Sequence, residues 1–297
     1  MLSPRPWNLE TVLRLWLGIF ICLCLGSMVV SALHYAGGAG MQQVAFFAIV
    51  TIASCALAAG LVLISQVWNL EDLMRRFLLI LGCLTVGLSL AVWTQRMAGR
   101  PPEGSSGEQM VVAELAVLLF LIGFLRAQRV RWGDAFGLAN QRQRAILAGV
   151  IVAFIFLPVG DGLQWASAQI MARFHWEPQE QQAVHALRVT SAWSSRLLLA
   201  GLAIVLAPIA EEILFRGIMY PAIKQAGFPR LALWGVSLLF ACVHFNLVTF
   251  VPLLVLALLL TALYERTDNL LAPIAAHALF NALNFVKLYL VEPLLPK

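Results

Sequence analysis

Along the chain, apolar residues run in long blocks separated by short polar or Gly/Pro-rich breaks. The blocks are too long for strands and lack the strict alternation of a half-buried sheet, so the pattern predicts helices. Nine blocks stand out, at residues 12–34, 43–65, 77–94, 110–126, 145–171, 196–220, 231–248, 250–264 and 271–291. Most reach the roughly 20 residues a helix needs to cross a bilayer. The fourth and eighth, of 17 and 15 residues, are short for a hydrocarbon core about 30 Å thick. The expected fold is therefore all-α: a polytopic transmembrane bundle of eight or nine spans, with an intramembrane polar cavity in its C-terminal half.

Composition removes the soluble alternatives. Of 297 residues 61% are hydrophobic and 12% charged, far from the ~25% charged residues of an ordinary globular domain. The excess of 20 Lys+Arg over 15 Asp+Glu falls between apolar blocks and not on a basic face interleaved with aromatics, which argues against nucleic acid and for the positive-inside bias of membrane proteins. With nine spans, 13 basic residues fall on the N-terminal side and seven on the other, predicting a cytoplasmic N-terminus in a bacterial cytoplasmic membrane. The first apolar run is too long for a cleaved signal and reads as a span. The five cysteines, at 22, 24, 55, 83 and 242, lack C-x-x-C spacing and read as small buried hydrophobes.

Two breaks organise the chain. The stretch from Arg96 to Met110, with Pro101, Pro102 and Gly104, has loop chemistry. The stretch from Arg126 to Arg144 carries five arginines and divides four N-terminal spans (1–144) from a C-terminal helical bundle (145–297). The polar stretch from Arg173 to Arg196 has the composition of an interfacial amphipathic segment. Asp161, in Pro158-Val-Gly-Asp161-Gly, reads as turn chemistry at a helix break.

Ionisable groups inside lipid-facing helices cost several kcal/mol, about 2.5–3.5 each on insertion scales, and mark function by default. Three clusters qualify: Glu211-Glu212-x-x-x-Arg216, Phe240-x-x-x-His244 and His277-x-x-x-Asn281. Adjacent residues on a helix diverge by about 100°, so Glu211 and Glu212 are expected to face different ways. Glu212 and Arg216 stand at i and i+4, the spacing of an intrahelical ion pair. His277 and Asn281 share that spacing, as do Phe240 and His244, where the ring could limit rotation of the imidazole. Counting from a turn at Gly227, Glu211 lies 16 residues before and His244 17 after, which brings the two to similar depth on antiparallel helices.

A carboxylate and an imidazole in a dry cavity can activate water, and further donors can steady the oxyanion formed on a peptide carbonyl. A metal site with Glu211, His244 and His277 as ligands is the alternative. H-E-x-x-H is absent, so the residues alone select neither.

Taken together and in order, the three motifs resemble the CPBP (ABI) family, which includes the type II CAAX prenyl endopeptidases; the flanks Ala207-Pro-Ile-Ala and Arg216-Gly217 are similar too. The resemblance covers residues 197–284. It implies an intramembrane endopeptidase in which Glu211 is the general base, His244 helps hold the water, and His277 with Asn281 stabilises the oxyanion, supported by Glu212 and Arg216. It further implies a peptide or membrane-protein substrate, lipidated or not, and no cofactor, with zinc or another divalent metal as the alternative. A non-catalytic immunity factor or scaffold is a second reading. A transporter is a third, although the internal repeat that transport favours is not visible.

Overall fold

The computed structural model describes residues 5–19, 114, 117–119, 121–126, 128–178, 180–190 and 193–291. The spans expected at 43–65 and 77–94, most of that at 12–34, the 96–110 connection and the four cysteines before Cys242 lie outside the described residues. The chain forms two compact units, one of Met1–Val12 with Leu121–Lys297, the other of Leu13–Phe120. In the second unit residues 13–19, 114 and 117–119 are helical.

Every regular element among the described residues is a helix. The first unit contains α1 (Arg142–Arg173), α2 (Gln182–Val189), α3 (Trp193–Gln225), α4 (Pro229–Cys242), α5 (Leu247–Thr267) and α6 (Leu271–Val286, continuing as a wider turn through Val291). Of these, α1, α3, α5 and α6 are long and apolar enough to cross a membrane, and their exposed Phe154, Ile155, Leu198 and Leu259 suit lipid contact.

Three expectations change. The eighth block is no short span: α5 has 21 residues, enough for a bilayer at about 1.5 Å per residue. Its start is set by Asn246, whose Oδ1 accepts from the Thr249 amide at 3.0 Å, an N-cap that apolar periodicity does not register. The seventh block is interrupted: α4 stops at Cys242 after 14 residues, and Phe245 in the following turn takes a left-handed φ of 49°. Nor is Asp161 at a break. Helix α1 runs through Pro158 for 32 residues, because proline removes one hydrogen bond from a helix braced by its neighbours. Asp161 instead accepts from Lys287 Nζ at 2.6 Å, joining α1 to the end of α6.

One end of the bundle is fastened by backbone. The Leu270 amide donates to the Phe136 carbonyl at 3.0 Å. Gly137, at φ +65°, lies so close that a Cβ there would sit 2.0 Å from the Asp268 carbonyl oxygen. The N-terminal segment joins the same end: Arg5 donates to Tyr264 Oη and Asp268 Oδ1, both at 2.7 Å, and Trp7 Nε1 donates to the Ile218 carbonyl at 3.1 Å. Arg5 and Trp7 are both buried.

Candidate active site

Helix α3 carries both acids between two wider turns, Leu202–Leu206 and Ile213–Met219, in π-helical geometry. Such turns are rare and gather at functional positions. The Glu212 and Arg216 side chains are wholly buried and make the ion pair their spacing predicts, with Arg216 NH1 donating to Oε1 at 2.8 Å. Arg216 NH2 also donates to the Ala257 carbonyl at 3.2 Å, and its guanidinium lies 4.4 Å from the Phe240 ring centre. A buried cation is thus met by a carboxylate, a carbonyl and an aromatic face, the combination that makes its burial tolerable.

The two glutamates differ in surroundings as expected, Glu212 wholly buried and Glu211 partly exposed, but they approach opposite edges of one ring. His277 of α6, also buried, bonds one of them: its Nδ1 lies 2.9 Å from Glu212 Oε1, while its Nε2 stands 3.9 Å from Glu211 Oε2. Glutamate side chains have three torsions, enough to cancel the 100° separation at the backbone. Paired with Arg216, Glu212 Oε1 accepts, so His277 Nδ1 donates to it; Glu211 Oε2, beyond hydrogen-bond reach of Nε2, is buried without a hydrogen-bond partner. Glu211 remains a quarter exposed, at 26%.

His244 stands in the turn after α4, not within a helix. Its Nδ1 donates to the Phe240 carbonyl at 2.7 Å. Carbonyls in a helix's last turn lack backbone partners, so the imidazole takes the place of the missing amide, and its Nε2 is left as an acceptor. The Phe240 ring is in contact with His244 at 4.8 Å between centres, with His277 at 5.7 Å and with Phe215 at 5.3 Å. It therefore touches both imidazoles and the guanidinium, a wider role than limiting the rotation of one histidine. Asn281 points its Nδ2 at the Ala203 carbonyl, 2.8 Å away in the first π turn.

Glu211, Glu212, Arg216, Phe240 and His277 thus form one connected cluster, with His244 joined through Phe240. Among the described residues no ion pair links His244 to Glu211, and no three His, Cys, Asp or Glu side chains are grouped to hold a metal ion. Glu211, His244 and His277 are not grouped in that way. The motifs did not point to Ser237, one turn before Phe240 on α4, whose buried Oγ has no hydrogen-bond partner among the described residues. The spacing Ser237, Phe240, His244 was the available signal. Neither the Ala257 carbonyl nor the π turns had one, since both are set by backbone geometry.

Apolar spans around a buried acid, imidazole and guanidinium cluster define an integral membrane protein. Residues 192–283 match the family of type II CAAX prenyl endopeptidases described as Rce1-like, so the helices that carry the cluster are similar to those of a membrane protease family. An uncharacterized protein of Bacillus subtilis (strain 168), YpbD, is 35% identical over 82 residues, 26% of this chain and 39% of that protein. The chain thus spans well under half the length of that curated relative. No solved structure matches.

Proposed function

We propose that the protein is an intramembrane endopeptidase that hydrolyses a peptide bond near the bilayer with water activated by Glu211. The observation that carries this reading is the His277 ring fixed by Glu212 through Nδ1, with the unpartnered Glu211 Oε2 3.9 Å from Nε2. Glu211 takes a proton from the attacking water, while His244 Nε2 accepts the water's second hydrogen and orients it. The proton passes from Glu211 to His277 Nε2, and the ring, now a donor on that side, steadies the tetrahedral oxyanion together with Asn281. Return of the proton to the leaving amine completes hydrolysis. Glu212 and Arg216 act through His277 and are positioning residues.

The deciding experiment is cleavage of membrane-anchored peptides by the purified protein and its Glu211→Gln variant in detergent or liposomes. Cleavage by the parent and none by the variant supports the reading; equal cleavage by both removes Glu211 from the mechanism. A folded parent with a biological effect that Glu211→Gln leaves intact would favour a non-catalytic role.

A further inference from the structure

We infer that Trp7 and Phe136 are positioning residues of the active site: from outside the helices that carry its motifs, they hold the wide turn Ile213–Met219 in the shape that lets Arg216 reach Glu212. Only the kinetic part of this rests on the endopeptidase reading.

A π turn bonds each carbonyl one residue further along than an α turn does and is rare, so it persists where its surroundings hold it. Two groups hold this one. Trp7 Nε1 donates to the Ile218 carbonyl at 3.1 Å, from an indole only 2% exposed. The Phe136 ring fills the space beside Gly217, where a Cβ would come within 2.7 Å of it. The two rings pack on each other at 5.7 Å between centres, so the bond and the ring form one clamp across adjacent residues of the turn. Each side of the clamp has its own anchor. The Phe136 carbonyl accepts from the Leu270 amide at 3.0 Å. Before Trp7, the Arg5 amide donates to Gln225 Oε1 at 3.2 Å and the Arg5 guanidinium to Tyr264 Oη and Asp268 Oδ1. After it, Asn8 Oδ1 accepts from the Thr11 amide at 2.9 Å and caps the helix that follows.

The turn so clamped contains the cation of the site. Arg216 immediately precedes Gly217, and its NH1 shares Glu212 Oε1 with His277 Nδ1, at 2.8 and 2.9 Å. Successive residues of an α-helix are turned by about 100°. Without the Trp7 donor the turn is free to tighten toward the commoner α form, which rotates Arg216 against Glu212 and leaves His277 bonded to a carboxylate that is no longer held. Trp7 and Phe136 both precede α1 and touch none of the reacting groups, so their effect on the chemistry passes through the shape of this turn.

The test removes the donor and keeps a ring: Trp7→Phe in the full chain, purified in detergent beside the parent and beside Leu187→Ala, which truncates a buried residue of α2 and lowers stability away from the wide turn. Should Trp7→Phe fail to fold, benzothienylalanine at position 7, which exchanges only the N–H for sulfur, takes its place. With histidine-selective nitrogen labelling, the ring Nδ1–H signal of His277, assigned by its loss in His277→Gln, is expected to shift in Trp7→Phe and to stay in place in Leu187→Ala. On membrane-anchored peptides kcat should fall roughly 10- to 10²-fold in Trp7→Phe with KM unchanged, up to the loss that misplacement by an ångström causes. An unmoved His277 signal or a kcat equal to the parent's overturns the inference. So does a signal that Leu187→Ala moves as far, which would make Trp7 a stabiliser of the fold and no more. A parent that cleaves nothing would end the endopeptidase reading, and the His277 signal would still decide this one.

Discussion

Nδ1 of His277 lies 2.9 Å from Oε1 of Glu212, the same oxygen that accepts from Arg216 at 2.8 Å. One buried atom thus ties α3 to α6 and fixes which edge of the imidazole faces Glu212. A second carboxylate, one residue earlier in sequence, stands 3.9 Å from the other nitrogen, its nearer oxygen buried and without a hydrogen-bond partner. This pairing separates the roles of two adjacent acids more sharply than their positions on a helical wheel.

Glu211→Gln is expected to lower kcat/KM by roughly 10²–10⁴, the usual contribution of a general base, without changing the thermal midpoint of the detergent-purified protein by more than a few degrees. His244→Ala should lower kcat by a comparable factor with little change in stability, since the side chain is half-buried in a turn and holds one carbonyl. Peptide cleavage kinetics alongside thermal melts check both.

Glu212→Ala leaves the Arg216 guanidinium buried without its counter-charge and should cost roughly 3–5 kcal/mol of stability. The double variant Glu212→Leu with Arg216→Met should recover most of that loss while activity stays low, because His277 then has no acceptor to orient it. Melting curves and turnover of the two variants, compared side by side, separate the structural from the positioning effect.

Gly149 of α1 faces α6 so closely that a Cβ would sit 2.4 Å from the Ala272 carbonyl oxygen and 3.0 Å from the Ala276 amide nitrogen. Backbone cannot yield as a side chain can, so Gly149→Ala should destabilise by roughly 1–3 kcal/mol through overpacking and displace the helix that carries His277. Loss of both thermal stability and kcat in this variant, far from the acids in sequence, is the expected outcome.

Trp7→Ala should cost roughly 3–5 kcal/mol, since the indole is buried, donates to the Ile218 carbonyl and packs at 5.7 Å on Phe136. A melting midpoint equal to that of the parent would show that the N-terminal segment is not anchored as described.

Incubation with a strong chelator is expected to leave peptide hydrolysis unchanged. Activity lost on chelation and regained with zinc would require Glu211, His244 and His277 to rearrange from the positions described.

Much of the fold was legible because lipid demands long apolar helices. The blocks at 145–171 and 196–220 fall within α1 and α3, and the i, i+4 logic located the Glu212–Arg216 pair. What escaped detection depended on local backbone. Hydropathy continues unbroken through the end of α4, so the pattern places His244 in a helix, whereas it occupies a turn. The cap at Asn246 and the length of α5 follow from one side-chain hydrogen bond. The approach of Glu211 and Glu212 to one ring depends on side-chain torsions that a helical wheel ignores, and the i, i+4 stripe of α6 sets His277 beside Asn281, whereas its bonded partner is Glu212 on α3.

The wide turn at Ile213–Met219 carries all seven of its residues buried, Arg216 and Gly217 among them. Downstream of the acids, Gly217 leaves room for the Phe136 ring, where a Cβ would come within 2.7 Å, while Arg216 must still reach back to Glu212. A helix one residue shorter through this stretch would rotate everything after it, so it could satisfy the guanidinium or the aromatic neighbour but not both. The segment is in that sense intolerant of length changes in a way that no inspection of its individual side chains would disclose: both contacts could keep their own residues and still be lost by removing one link between them.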